Sequence, residues 1–228
     1  MSEEEVVAAA KGRIEELLAP VNGGVGEDIS YDEKFEEIKA EADKLQSLAG
    51  ESVNWGNISS LSEELLTEKS KDFRLACYWA AAKAQENTLD ALLDVTVLIS
   101  EFTRQFWDEG YPPLRRIRAR AGILGWMSDR CANAREIKLS AKDQEKVKAF
   151  DELTKALDAD FREKMADSYP GISELREAAR HMLRTCPKEQ APPPKPEPPK
   201  PAAPAAAPAP PGAAPPPPVP VAAVAPAG

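Results

Sequence analysis

The sequence predicts an all-α protein, a bundle of about eight helices followed by a disordered Pro/Ala-rich tail, and three observations carry that prediction. Apolar residues recur at three- and four-residue steps almost everywhere before position 186. No run of alternating or β-branched residues interrupts them at a length that would make a strand. Beyond Cys186, 18 of the chain's 22 prolines fall among alanines, a composition that removes backbone donors and offers almost nothing to build a core from. Residues 1–186 are therefore read as a helical domain and 187–228 as a tail that samples polyproline II as a semi-rigid spacer. Within the tail, residues 194–201 have the PxxP spacing that aromatic grooves bind.

Taken in order, the first helix is expected over 3–18, with Val6, Val7, Ala10, Ile14, Leu17 and Leu18 on one side and Pro20 closing it. A glycine-rich turn leads to a second over 32–48, which presents Phe35, Ile38, Ala42 and Leu45 and gathers acids in its first turn, where the helix dipole favours them. Ser59 or Ser60 is read as the cap of a third helix running through Leu66, with Trp55 in the loop before it, and Ser70 as the cap of a fourth. Phe73, Leu75, Ala76, Trp79 and Ala82 make that fourth helix central. A fifth, opened by Asn87 or Thr88, carries Leu92, Leu93, Val97, Ile99, Phe102, Phe106 and Trp107 until Tyr111-Pro112-Pro113 ends it. The sixth is expected over 114–129. A more polar seventh, over 141–166, keeps Val147, Phe150, Leu153, Leu157 and Phe161 on one face and should lie across the bundle surface, and Pro170-Gly171 turns into an eighth over 173–184.

Composition limits what this chain does. With 228 residues and 43% apolar content it builds a core without staples, and three widely spaced cysteines, Cys77, Cys131 and Cys186, suit a reducing compartment better than a disulfide framework or a zinc site. The acidic start Met1-Ser2-Glu3-Glu4-Glu5 is unlike a secretory signal, and no stretch approaches a membrane span, so a cytoplasmic protein without membrane insertion is expected. A net charge of −9 argues against nucleic acid as a partner. One basic island breaks the pattern: Arg115, Arg116, Arg118 and Arg120, joined further on by Arg130 and Arg135. Helical spacing scatters these over several directions, so the first reading is a solvated or salt-bridged face and the second a docking patch for an acidic partner.

Signs of catalysis are few. The one histidine, His181, falls on the last helix beside the tail and reads as an exposed helical residue. Gly23-Gly24-Val25-Gly26 lacks the Gly-Lys-Ser/Thr ending and the preceding strand of a phosphate loop, and reads as a flexible turn. Glu27, Asp28, Asp32 and Glu33 lack calcium-loop spacing and are explained by capping the second helix. Trp55, Trp79, Trp107 and Trp126 read as core residues, and Lys71-Asp72-Phe73-Arg74 as a local cap with an ion pair. No catalytic residue, no cofactor-binding residue and no metal ligand is assigned, and a non-enzymatic protein is expected.

The order of three motifs resembles the ImpA-type N-terminal domain of the TssA family, bacterial components of type VI secretion. Gly26-Glu27-Asp28-Ile29-Ser30-Tyr31-Asp32 after Pro20 is similar to one signature. Trp55 followed by Leu65-Leu66 and Ser70-Lys71-Asp72-Phe73-Arg74 is similar to a second, and Phe106-Trp107 with Tyr111-Pro112 to a third. The match thins after Pro113, where Arg120, Ile123, Leu124, Trp126 and Met127 keep an outline only. The resemblance implies a structural role in baseplate or sheath-tube assembly through protein–protein contacts, with homo-oligomerisation in view and the family's usual C-terminal region lacking. It marks Gly26, Glu27, Asp28, Tyr31, Asp32, Trp55, Lys71, Asp72, Arg74, Trp107 and Pro112 as signature positions with a structural task. The alternative reading is a generic helical adaptor whose proline-rich tail binds a separate partner domain.

Overall fold

A computed structural model describes residues 2–46 and 51–188. Among them are eight α-helices and no strand: α1 (Glu3–Leu18), α2 (Glu33–Asp43), α3 (Trp55–Glu68), α4 (Phe73–Ala84), α5 (Leu89–Phe106), α6 (Ile117–Arg130), α7 (Gln144–Met165) and α8 (Ser173–Thr185). The tail from 189, the predicted end of the second helix at Leu48 and the side chain of Arg135 lie outside the described residues.

Helix starts follow from local chemistry. Ser2 and Glu5 close a capping box at α1, whose first turn is Glu3-Glu4-Glu5. Asp32 caps α2 through the amides of Lys34 and Phe35, and Thr88 caps α5 through that of Ala91. Two starts differ from the sequence reading. Helix α3 begins at Trp55, ahead of Ser59 and Ser60, because Asn54 Oδ1 accepts the amide of Asn57 at 3.0 Å. Gly56 in that first turn, a poor helix former, hid the start. Helix α4 is capped by Asp72 rather than Ser70, whose amide instead donates to Leu65 O at 2.8 Å and closes the end of α3. Helix α2 also stops early, at Asp43, tightening into a 3-10 turn over Lys44–Gln46.

Helix α5 runs through the centre. Leu92, Leu93, Val95, Val97, Leu98 and Ile99 are all buried, which is possible only for a helix covered on every side. Helices α1, α4 and α7 pack around it, α3 and α6 flank α4, α2 lies on α3, and α8 rests on α7 and α6. Phe73, at the first position of α4, is 1% exposed and meets the rings of Phe102, Trp107 and Phe161 at centroid distances of 5.9–6.2 Å. Helix α7 was expected across the surface. Instead its Val147, Phe150, Leu157, Phe161 and Met165 line the core against α5, and Phe161 reaches both Phe73 and Trp107. The apolar face read from the sequence is the one that packs inward, with Leu153 only half-buried. No described helix is long and apolar enough to cross a membrane.

Candidate functional site

Three loops that are far apart in sequence meet at one end of the bundle, where α1, α3 and α5 finish and α4 begins. The amide of Glu27 donates to Lys69 O (3.0 Å) and that of Lys71 to Val25 O (2.8 Å), pairing the first loop with the second. The amide of Tyr111 donates to Lys71 O (3.0 Å) and that of Phe73 to Tyr111 O (2.6 Å), adding the third. Each loop thus satisfies backbone groups that the helix ends leave open. Two glycines let the chains approach this closely. Gly26 has φ +71°, and a Cβ there would stand 1.9 Å from Lys69 O. A Cβ on Gly110 would stand 2.5 Å from Phe106 O and 2.9 Å from Lys71 O. The turn read as flexible from Gly23 to Gly26 is therefore a fixed part of the stitching.

Under the stitching lies Lys71, fully buried. Its ammonium donates to Leu17 O (2.8 Å) at the end of α1 and to Leu66 O (2.6 Å) near the end of α3, with the Phe106 ring 5.8 Å away. Burial pushes its pKa down to about 8, while the two carbonyls at negative helix ends work in the opposite sense. The amine has no path to solvent, so it closes helices rather than attacking a substrate.

Its neighbour Asp72, also fully buried, receives the Arg74 amide (2.8 Å) and a bidentate guanidinium contact, Nε at 3.0 Å and NH2 at 2.6 Å. The same Arg74 lies over the Phe35 ring at 4.5 Å and donates to Ser30 Oγ at 3.2 Å. Ser30 in turn gives its amide and hydroxyl to Asp28, which holds that carboxyl below its ordinary pKa. Asp32 is likewise lowered, chiefly by the ammonium of Lys69 at 2.6 Å. In this way a chain of polar contacts joins the first motif to the second.

The third motif is held by a residue that the sequence reading placed on the surface. Arg120, assigned to the solvated basic island, is 1% exposed. Its guanidinium donates to the carbonyls of Pro112 (2.7 Å), Trp107 (2.5 Å) and Gly110 (2.5 Å) and lies 4.7 Å over the Trp107 ring. An arginine buries well where a turn aims several carbonyls at one point, because its planar fork supplies donors in fixed directions. The signal was present: Arg120, Leu124 and Met127 recur at four and three residues, so Arg120 shares the inward face of α6.

The signature positions thus divide. Gly26, Lys71, Asp72, Arg74, Trp107 and Pro112 come together in the stitched end, and Asp28 and Asp32 brace it from outside. Glu27 contributes its amide while its side chain faces solvent, and Tyr31, on the turn that Asp28 and Ser30 lock, is 98% exposed. Trp55 does not join them. It sits at the start of α3 with Trp126 6.4 Å away, and both are half-buried, while Trp79 and Trp107 are buried.

No group of three His, Cys, Asp or Glu among the described residues is placed to hold a metal. His181 is half-buried rather than exposed, and burial raises the thiols of Cys77 and Cys131, the latter to about 12, which keeps them protonated. Open grooves between α1 and α5, by Gly12 and Glu101, and between α1 and α7, by Val7 and Leu153, have no motif residue on their walls.

Comparison with known proteins follows the same outline. Residues 18–129, which contain all three motifs, match the family model described as ImpA, N-terminal, type VI secretion system. A curated relative, the type VI secretion system component TssA1 of Pseudomonas aeruginosa, is 30% identical over 126 residues, covering 47% of this chain and 36% of the relative. The chain therefore matches about a third of that protein's length. Among solved structures, the N-terminal domain of the TssA component from Burkholderia cenocepacia, which includes the conserved ImpA_N region, has the same fold. It aligns with a TM-score of 0.59 at 23% identity, over 75% of this chain and 90% of that one.

Proposed function

On the premise that this chain is a member of the ImpA N-terminal family of type VI secretion systems, we propose that it is a non-catalytic assembly component that works by protein–protein contact with baseplate, sheath or tube proteins. One observation carries the reading. The most reactive side chains of the second motif, Lys71, Asp72 and Arg74, and Arg120, which holds the third, are tied to backbone carbonyls or to one another at a helix junction. Chemistry needs such groups turned toward a cleft with an open valence. Here they make a rigid platform, and what the platform offers to solvent is the turn at Tyr31 and the start of α6. A rigid presentation lowers the ordering cost of binding, which suits a docking part. The helical domain is taken to end near residue 186, with the proline-rich segment after it as a spacer, and the site of action is taken to be the cytoplasm.

The test is an affinity pull-down of the tagged full chain, chemically cross-linked in cells that express a type VI apparatus. Enrichment of baseplate, sheath or tube proteins over a same-size unrelated helical bait is expected. Recovery of none of the three classes would sink the proposal.

A further inference from the structure

We propose that the surface formed by Leu114, Arg115, Arg116 and Arg118 is a docking face for an acidic segment of a partner protein. This rests on the reading that the domain works by protein contact, and it specifies the chemistry of one such contact.

Four observations lead there. First, the three guanidiniums are exposed and make no hydrogen bond or ion pair among the described residues, whereas Lys34, Lys44, Lys69, Lys83, Lys146 and Lys148 each hold a carboxylate. Second, the arginines stand where the fold gains little from them, the one favourable contact being that of Arg116 with the Asp28 carboxyl. The 3-10 turn Leu114–Arg116 runs straight into α6, which starts without a side-chain cap and with no acid in its first turn, so like charges gather at the positive end of a helix. A local rule broken with little return inside the molecule points to a use outside it. Third, Leu114 is 40% exposed beside them, giving an apolar contact within a charged rim, and arginine is among the residues that dominate binding energy at interfaces. Fourth, the face is rigidly mounted: Pro112 is buried, and Arg120 clamps the turn that precedes it through three carbonyls.

Charge selects the occupant. The chain carries −9 overall, so a long polyanion meets net repulsion, and a small patch of three arginines is a short stop for a nucleic acid or a membrane surface. An acidic peptide segment fits a patch of this length, and the surrounding negative surface would steer it to this one face. Arg116 already bears on the carboxyl of Asp28, whose pKa it helps to lower, so the patch adjoins the turn that presents Tyr31.

The test is an amide NMR titration of the full chain with an oligo-glutamate peptide carrying one leucine, at low ionic strength. Parallel titrations use anionic phospholipid vesicles and inorganic polyphosphate. Expected are shifts centred on 114–118 and an affinity loss of about tenfold or more in R115E/R116E/R118E, with the melting temperature unchanged. The control K142E/K148E/K155E, which alters net charge equally at exposed sites on or beside α7, should lose less than about threefold. Absence of peptide binding, an equal loss in the control, shifts centred elsewhere, or tighter binding to vesicles or polyphosphate than to peptide would each overturn the proposal. So would self-association of the chain through this face, read by light scattering. The pull-down above stands apart: enrichment there with failure here removes the acidic-segment docking face and leaves the assembly role intact.

Discussion

At the scale of single residues, the stitched end makes definite demands. Lys71 is a buried cation whose partners are two backbone carbonyls and no carboxylate. Replacing it with methionine keeps most of the volume and strands both carbonyls, so K71M should lose about 3 kcal/mol in urea unfolding at pH 7. Its pH dependence has a defined sign. The folded pKa is lowered to about 8, below the value of about 10.4 in an unfolded chain. Below about 8 both states are protonated and the cost of the buried charge is fully present. Between about 8 and 10.4 the unfolded chain binds more protons, so the native state gains as pH rises. The stability gap between wild type and K71M should therefore widen from pH 7 to pH 10, and a gap that is constant or narrows would contradict the burial argument. Gly26 is similarly exacting: G26A drives a methyl group into Lys69 O at positive φ and should cost more than about 2 kcal/mol, read as a drop in melting temperature.

At the scale of elements, periodicity and punctuation made most of the helices readable. Helix α1 has its predicted limits, since Ser2, the acidic first turn and Pro20 mark both ends. Helix α5 was equally plain, with Thr88 before it and Tyr111-Pro112-Pro113 after it. What failed were choices between neighbouring caps. Ser70 and Asp72 both suit the start of α4, and only the pairing of the Ser70 amide with Leu65 O decides between them. Asp72→Asn keeps a cap and loses the charge opposite Arg74, whereas Asp72→Ala loses both. D72N should therefore unfold at a clearly higher urea concentration than D72A, by about 1 kcal/mol or more. If the two variants coincide, capping is not what Asp72 supplies. The turn before α6 makes a parallel case. R120K keeps a positive charge but not three directed donors, so it should lose about 3 kcal/mol, and equal stability to wild type would mean the carbonyl cluster is hydrated instead.

At the scale of the whole molecule, an all-α fold and the grouping of motifs by family resemblance were legible, while their convergence was not. Gly26, Lys71 and Trp107 are separated by dozens of residues, and nothing in a single sequence says that the loops bearing them pair backbone to backbone. Burial was partly legible too. Arg120 was hidden by its arginine neighbours, and Tyr31 reads like any aromatic until the turn around it is seen to point outward. Apart from Trp55 and Tyr31, the signature residues should behave as one cooperative junction that holds α1, α3, α4 and α5 in register beneath the faces proposed for docking. Native-state hydrogen exchange tests this most directly. The amides of Glu27, Lys71, Phe73 and Tyr111, all engaged between loops, should exchange only through global unfolding, with the same free energy as the core of α5. Exchange of these four amides through a separate local opening, well below the global value, would contradict the account and recast the junction as a movable hinge.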